Sequence, residues 1–129
     1  MKIVKYTHRY KEACITLFRS NSDKYFSDEE LSEFEAYLNK DAGYKPYFIV
    51  LKNNEVIACG GYEKSGGVVG LCWGMVRRIN HGQSIGTLLL EFRLESILEK
   101  YGDCKVSIDT SQHTKGFYEK YGFINPADK

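Results

Sequence analysis

The stretch Arg77–Phe92, RRINHGQSIGTLLLEF, sets two arginines and a glycine-punctuated loop directly ahead of an apolar helical run. GLCWGMV (70–76) before it and CKVSID (104–109) after it both read as strands. Strand, loop, helix and strand in this order make one βαβ crossover. The first backbone N–H groups of such a helix have no intrahelical partner and lie at the positive end of the macrodipole. Gly82 and Gly86 let the backbone approach a ligand, Ser84 and Thr87 add hydroxyl donors, and Arg77 and Arg78 add charge at the loop entrance. The stretch therefore predicts an anion site, and a diphosphate suits it. No lysine follows Gly86 and the glycine spacing is not GxGxxG, so neither a mononucleotide P-loop nor a dinucleotide fingerprint is supported.

Working outward, KIVKY (2–6) alternates and predicts a short opening strand. Tyr10, Ala13, Cys14, Leu17 and Phe18 then recur at helical spacing, one buried stripe. SDEELSEFEAYLNK (27–40) begins with a capping box, Ser27 and Glu30, and places Leu31, Phe34, Tyr37 and Leu38 along one face of a second helix. From Tyr47 the period changes: YFIVLK, Asn53-Asn54 and EVIACGGYE read as a hairpin, because asparagine tolerates the positive φ of a tight turn. After a turn at Ser65, Gly66 and Gly67 comes VVGLCWGMV. Helix returns over Thr87–Tyr101, with Leu90, Leu94, Ile97 and Leu98 expected on one side and Gly102 just past the end. HTKGFYEKYGF (113–123) reads as a last short helix stopped at Gly122. The predicted order is β-α-α-β-β-β-α-β-α, with a trailing β-like piece. It describes an α+β fold, a mixed, mostly antiparallel sheet flanked by about four helices.

With 129 residues the chain suits a single domain over 1–129. Its 18 basic and 17 acidic side chains leave a net charge of +1, too little for an overall field that would draw it to nucleic acid or an anionic membrane. Cys14, Cys59, Cys72 and Cys104 are widely spaced in apolar runs, with no CxxC pair and no histidine at metal-ligand spacing. They read as reduced core residues of a cytoplasmic protein without a structural metal. The N-terminus MKIVKYTHRYKEA has no signal-peptide apolar core, and no apolar run approaches the roughly 20 residues that span a bilayer.

Taken together, MVRRINHGQSIGTLLLEF and FYEKYGF resemble the two halves of the cofactor site in the GNAT superfamily of N-acetyltransferases. In that family a strand ends in valine and Q/R-x-x-G-x-G/A follows five residues on; here Val76 is followed by His81, Gly82, Gln83, Ser84, Ile85 and Gly86. The later pattern matches Thr114 and then Tyr118, Glu119, Lys120, Tyr121, Gly122 and Phe123. The element order agrees as well, so the resemblance covers essentially the whole chain. The sequence departs from the pattern in having His81 for Q/R and Ser84 for the first glycine. A final strand is expected after Gly122-Phe123, but only INPADK remains. Either the chain is cut short, that strand is missing, or a second copy of the chain covers the sheet edge as a homodimer.

The resemblance implies acetyl-CoA as cosubstrate, its pyrophosphate on the amides of Gln83 to Thr87 and its pantetheine arm along Met75 and Val76. It implies that Tyr118 protonates the departing CoA sulfur, a role open to a phenol that is neutral at pH 7. The acceptor would be a small-molecule or peptide amine entering near the first two helices, where Asp23, Asp28, Glu29 and Glu30 would attract a cation. Glu63, Asp109 and His113 are candidates for a general base, and none is assigned. The competing expectations are a degenerate relative that binds CoA or a protein without catalysis, and a nucleotide-binding regulatory domain, which the missing lysine disfavours.

Overall fold

The computed structural model describes residues 1–21 and 28–108. Its elements are β1 (Lys2–Lys5), α1 (Lys11–Asn21), α2 (Asp28–Lys40), β2 (Tyr47–Lys52), β3 (Glu55–Ser65), β4 (Val68–Val76), α3 (Ile85–Tyr101) and β5 (Lys105–Ile108), with 3-10 turns at His8–Tyr10 and Arg78–Asn80. The five strands lie in chain order in one sheet. β1 to β4 pair antiparallel, and β5 joins β4 in parallel through the α3 crossover. This is the α+β architecture expected from the sequence. Ser27, Asp23, Asp109, His113, Tyr118 and the expected last helix and strand lie outside the described residues.

Each hairpin follows from its turn residues. Asn53 and Asn54 take φ of 52° and 65°, the left-handed pair that a two-residue turn needs to match strand twist. The second turn is tighter than expected: Ser65 pairs with Val68, so only Gly66 and Gly67 connect β3 to β4.

The sheet has an α layer on each face. On one face, α1 and α2 bury Cys14, Leu17, Phe18, Phe34, Tyr37 and Leu38 against Tyr47, Ile49, Cys59 and Met75. Phe34 is fully buried, with ring centroids 5.4 Å from Phe18 and 5.1 Å from Trp73. On the other face, α3 buries Leu90 and Ile97 against Tyr62, Val69 and Leu71, and Ile85 and Leu89 against Val50, Ile57 and Ala58.

Three sequence expectations are corrected. Tyr10 belongs to the 3-10 turn rather than to α1, and the buried face of α1 gains Ile15 and Asn21. The third helix starts at Ile85, two residues early. Leu98 is 57 % exposed, because the inward row is Ile85, Leu89, Arg93 and Ile97, spaced four apart, and Leu98 is rotated away from it. A buried arginine fits in that row because the strand beneath it carries Gly60 and Gly61. A Cβ built on Gly60 would stand 3.1 Å from Arg93 Nη1, and the guanidinium donates to the Gly61 carbonyl at 3.2 Å.

Across from these glycines β4 carries one extra residue. Cys59 pairs with Met75 and Gly61 with Cys72, so Trp73 and Gly74 together oppose Gly60, a β-bulge. Side-chain alternation restarts there: Val69 and Leu71 pack toward α3, whereas Cys72, Trp73 and Met75 all pack toward α1 and α2.

Gly61 is confined from the α1/α2 side, where a Cβ would collide with the Pro46 carbonyl and the Tyr47 ring. Gly61→Ala should therefore cost about 3 kcal/mol in urea unfolding, the range of severe packing defects. Burial holds the Tyr47 hydroxyl protonated well above the ordinary tyrosine range. Once the pH exceeds the unfolded tyrosine value near 10, the unfolded chain releases a proton that the fold retains, so stability falls as pH rises. Tyr47 should contribute a loss of about 1.4 kcal/mol per pH unit there, and Tyr47→Phe should flatten the slope in urea melts between about pH 9.5 and 11.5.

Candidate functional site

The end of β4, the loop after it and the first turn of α3 form one continuous surface. Met75 is buried toward α1 and α2, and Val76 is half-buried against Ile85 and Leu89. In this region β4 has β3 on one side; on the other, the described pairing with β5 runs from Val68↔Lys105 to Leu71↔Ile108. The stretch Cys72–Val76 thus continues beyond the described parallel pairs.

The Val76 carbonyl is gripped from two directions. Asn21 Nδ2, at the end of α1, donates to it at 2.9 Å, and His81 Nε2 lies 2.8 Å from the same oxygen. A carbonyl can only accept, so His81 carries its proton on Nε2 in this contact. The histidine at the position of the family glutamine or arginine therefore folds the loop back onto its own strand.

Within the loop, the Asn80 carboxamide accepts from Arg77 Nε at 2.8 Å and donates to Gln83 Oε1 at 3.1 Å. Arg77 also pairs with Glu55 at 3.2 Å. Arg77 is thereby committed to holding the loop, a role that its mere presence at the loop entrance did not reveal. The Arg78 side chain is exposed, while its backbone N–H donates to Ser20 Oγ at 3.2 Å.

Gly82 and Ser84 both adopt left-handed backbone, with φ of 83° and 63°. His81, Gly82, Gln83 and Ser84 are all exposed, and a Cβ on Gly82 would meet no atom within 4 Å. Ser84 is the N-cap of α3 without a side-chain capping bond. The helix ladder starts with Leu88 N–H donating to Ser84 O at 3.1 Å, so the amides of Ile85, Gly86 and Thr87 precede it in the first turn. Ile85 is buried and anchors that turn, while Gly86 and Thr87 are half-buried at its surface. Seven of the ten residues expected at the site thus fall on this surface, Met75 and Ile85 lie buried beneath it, and Tyr118 is outside the described residues.

The surrounding groups limit the chemistry. Glu63 is bound to Lys45 at 2.7 Å on the surface, so its carboxylate already has a cation. Burial pushes the Cys72 thiol up, which keeps it from serving as a thiolate nucleophile at neutral pH. Asp28 and Glu29 are exposed in the first turn of α2. Among the described residues no group of three or more His, Cys, Asp or Glu side chains could hold a metal, and no helix is long and apolar enough to cross a membrane.

Comparison with known proteins places the fold and the family. The sequence model described as the acetyltransferase (GNAT) domain matches residues 11–129. The chain belongs to the GNAT acetyltransferase family. A GNAT-family acetyltransferase from Staphylococcus aureus Mu50 superposes with a TM-score of 0.75 at 22% identity, over 99% of this chain and 88% of that one. A predicted acetyltransferase from Clostridium acetobutylicum, crystallised with acetyl-CoA, gives 0.73 at 15% identity over 96% and 90%. A Pyrococcus horikoshii protein crystallised under the name putative acetyltransferase gives 0.73 at 20% identity over 95% of this chain, which spans 43% of that chain's length. No curated protein matches the sequence.

Left-handed backbone costs a residue with a Cβ about 1 kcal/mol more than glycine, and Ser84 has no capping bond to offset it. Ser84→Gly should stabilise the protein by up to about 1 kcal/mol in urea unfolding. A net loss of stability would mean that the hydroxyl makes a stabilising contact.

Proposed function

We propose that the protein is an acetyl-CoA-dependent N-acetyltransferase that acts on a primary amine of a small molecule or peptide. The observation that carries this reading is the exposed loop His81–Ser84, which delivers two left-handed residues to the first turn of α3 at the end of β4. Membership of the family supports the same reading. The amides of Gln83 to Thr87 would hold the pyrophosphate, where the helix dipole and the unpaired N–H groups favour negative charge. Asn21 and His81 fill the Val76 carbonyl, so this end of β4 has donors rather than that acceptor to offer the pantetheine arm.

Acetyl-CoA supplies an activated acyl group as its thioester. The neutral amine forms the C–N bond as the C–S bond breaks, giving an amide and CoA thiol. Two groups of this chain assist. A backbone N–H of the bulged end of β4 polarises the thioester carbonyl, and Tyr118 donates its phenolic proton to the departing sulfur. Water removes the proton lost by the amine and restores that of Tyr118. The exposed Asp28 and Glu29 at the start of α2 favour a cationic acceptor on the α1/α2 side.

Ser84 favours a second reading, a family member that keeps the fold without transfer, because its Cβ stands where the family pattern has glycine. Calorimetry separates the two: the enzyme should bind acetyl-CoA and CoA at micromolar concentration and ATP far more weakly, and no heat at millimolar acetyl-CoA would sink the acetyltransferase. Tyr118→Phe should slow amine acetylation by roughly a hundredfold, the scale of a lost general acid, while leaving CoA affinity nearly intact. Unchanged turnover would remove Tyr118 from its role.

A further inference from the structure

Trp73 is the residue at which β4 leaves regular pairing, and its φ of 46° is an uncommon conformation for a bulky side chain. Local preference does not hold it there, so a tertiary contact must. Tyr47, on β2, is fully buried and donates its hydroxyl proton to the Trp73 carbonyl at 2.9 Å. The Tyr47 hydroxyl oxygen also lies 3.1 Å from Cys59 Sγ. The Tyr47 ring cannot easily turn, since it meets Tyr37 and Tyr6 edge to face at 5.2 and 5.8 Å and Phe34 at 6.4 Å.

A trans peptide is planar, with its C=O and N–H pointing in opposite directions. The bond from Tyr47 draws the Trp73 carbonyl into the α1/α2 core and so turns the Gly74 N–H away from that core. Behind the bulge, Gly60 leaves no room for movement: a Cβ there would stand 3.1 Å from Gly74 Cα and from Leu89. Arg93 secures the neighbouring Gly61 carbonyl at 3.2 Å. The peptide between Trp73 and Gly74 is thus held from both faces of the sheet.

We propose that Tyr47 is a positioning residue for acyl transfer, holding the Trp73 carbonyl so that the Gly74 N–H stands fixed for the thioester carbonyl oxygen. This rests on the acetyltransferase reading above. Tyr47 touches no reacting atom; it sets the direction of the donor that does. The donor strengthens its hydrogen bond as charge builds on the carbonyl oxygen during C–N bond formation, so its alignment acts on the rate more than on ground-state binding.

The test uses the full chain and Tyr47→Phe, with acetyl-CoA and CoA binding measured by calorimetry and CoA release followed with a thiol reagent over a panel of primary amines. The variant should bind acetyl-CoA within about threefold of the parent and keep its KM, while kcat falls roughly ten- to hundredfold, less than for outright loss of a carbonyl-stabilising donor. A parent-like kcat overturns the positioning role and leaves the acetyltransferase reading standing. Parallel loss of affinity and kcat overturns it as well, because that is what a merely structural tyrosine would give. A parent protein that does not bind acetyl-CoA removes both. Should Tyr47→Phe fail to fold, 15N-glycine spectra of the parent decide: the Gly74 amide must shift between the CoA and acetyl-CoA complexes, and an unmoved resonance overturns the proposal.

Discussion

One extra residue in β4 is the constraint on which the rest depends. Trp73 and Gly74 share a single partner, Gly60, and from that point side chains on β4 exchange faces. The bulge sends Trp73 into the α1/α2 core, where Phe34 and Tyr37 receive it at 5.1 and 6.3 Å. It also needs bare backbone opposite, which Gly60 supplies; the space Gly60 leaves on the far side is taken by Arg93, which donates to the Gly61 carbonyl. A regular strand would have turned the indole toward α3 and left the first core without its edge.

The loop that follows is held by side chains, although the groups proposed to face the cofactor are backbone. Asn80 ties Arg77 to Gln83, His81 closes onto Val76, and Asn21 reaches the same carbonyl from α1. An anion site made of amides depends on where those amides point, and a loop with two left-handed residues has many ways to point them elsewhere. The polar network restricts that freedom before any ligand arrives, which lowers the ordering cost of binding. It also links α1 to the first turn of α3 through the end of β4, so the two helical layers meet at the site.

Periodicity alone made the helices, the hairpins and the crossover legible, because apolar residues at helical or alternating spacing can bury only one face of an element. Asn53-Asn54 announced their turn because few residue types accept positive φ at two successive positions. The opening loop and the start of α3 were readable for the same local reason: strand, glycines and helix lie in one continuous stretch. The resemblance to the GNAT pattern rested on two short stretches, each continuous in the chain, and on the order of the elements.

Tertiary structure alone decided the rest. Nothing near Arg93 in the sequence signals its burial, which follows from two glycines more than thirty positions away, or the exposure of Leu98, which is rotated off the inward row of α3. The glycines of β3 and β4 hinted at irregular pairing, yet only the register of the two strands locates the bulge at Trp73. Tyr47 is one aromatic residue of an ordinary alternating strand, and its bond to Trp73 spans 26 positions. Local sequence determined which elements form and where the glycine loop meets the start of α3. Long-range packing determined which way the site's peptide groups face, because a peptide's orientation in a bulge is set by whatever binds its carbonyl from across the core.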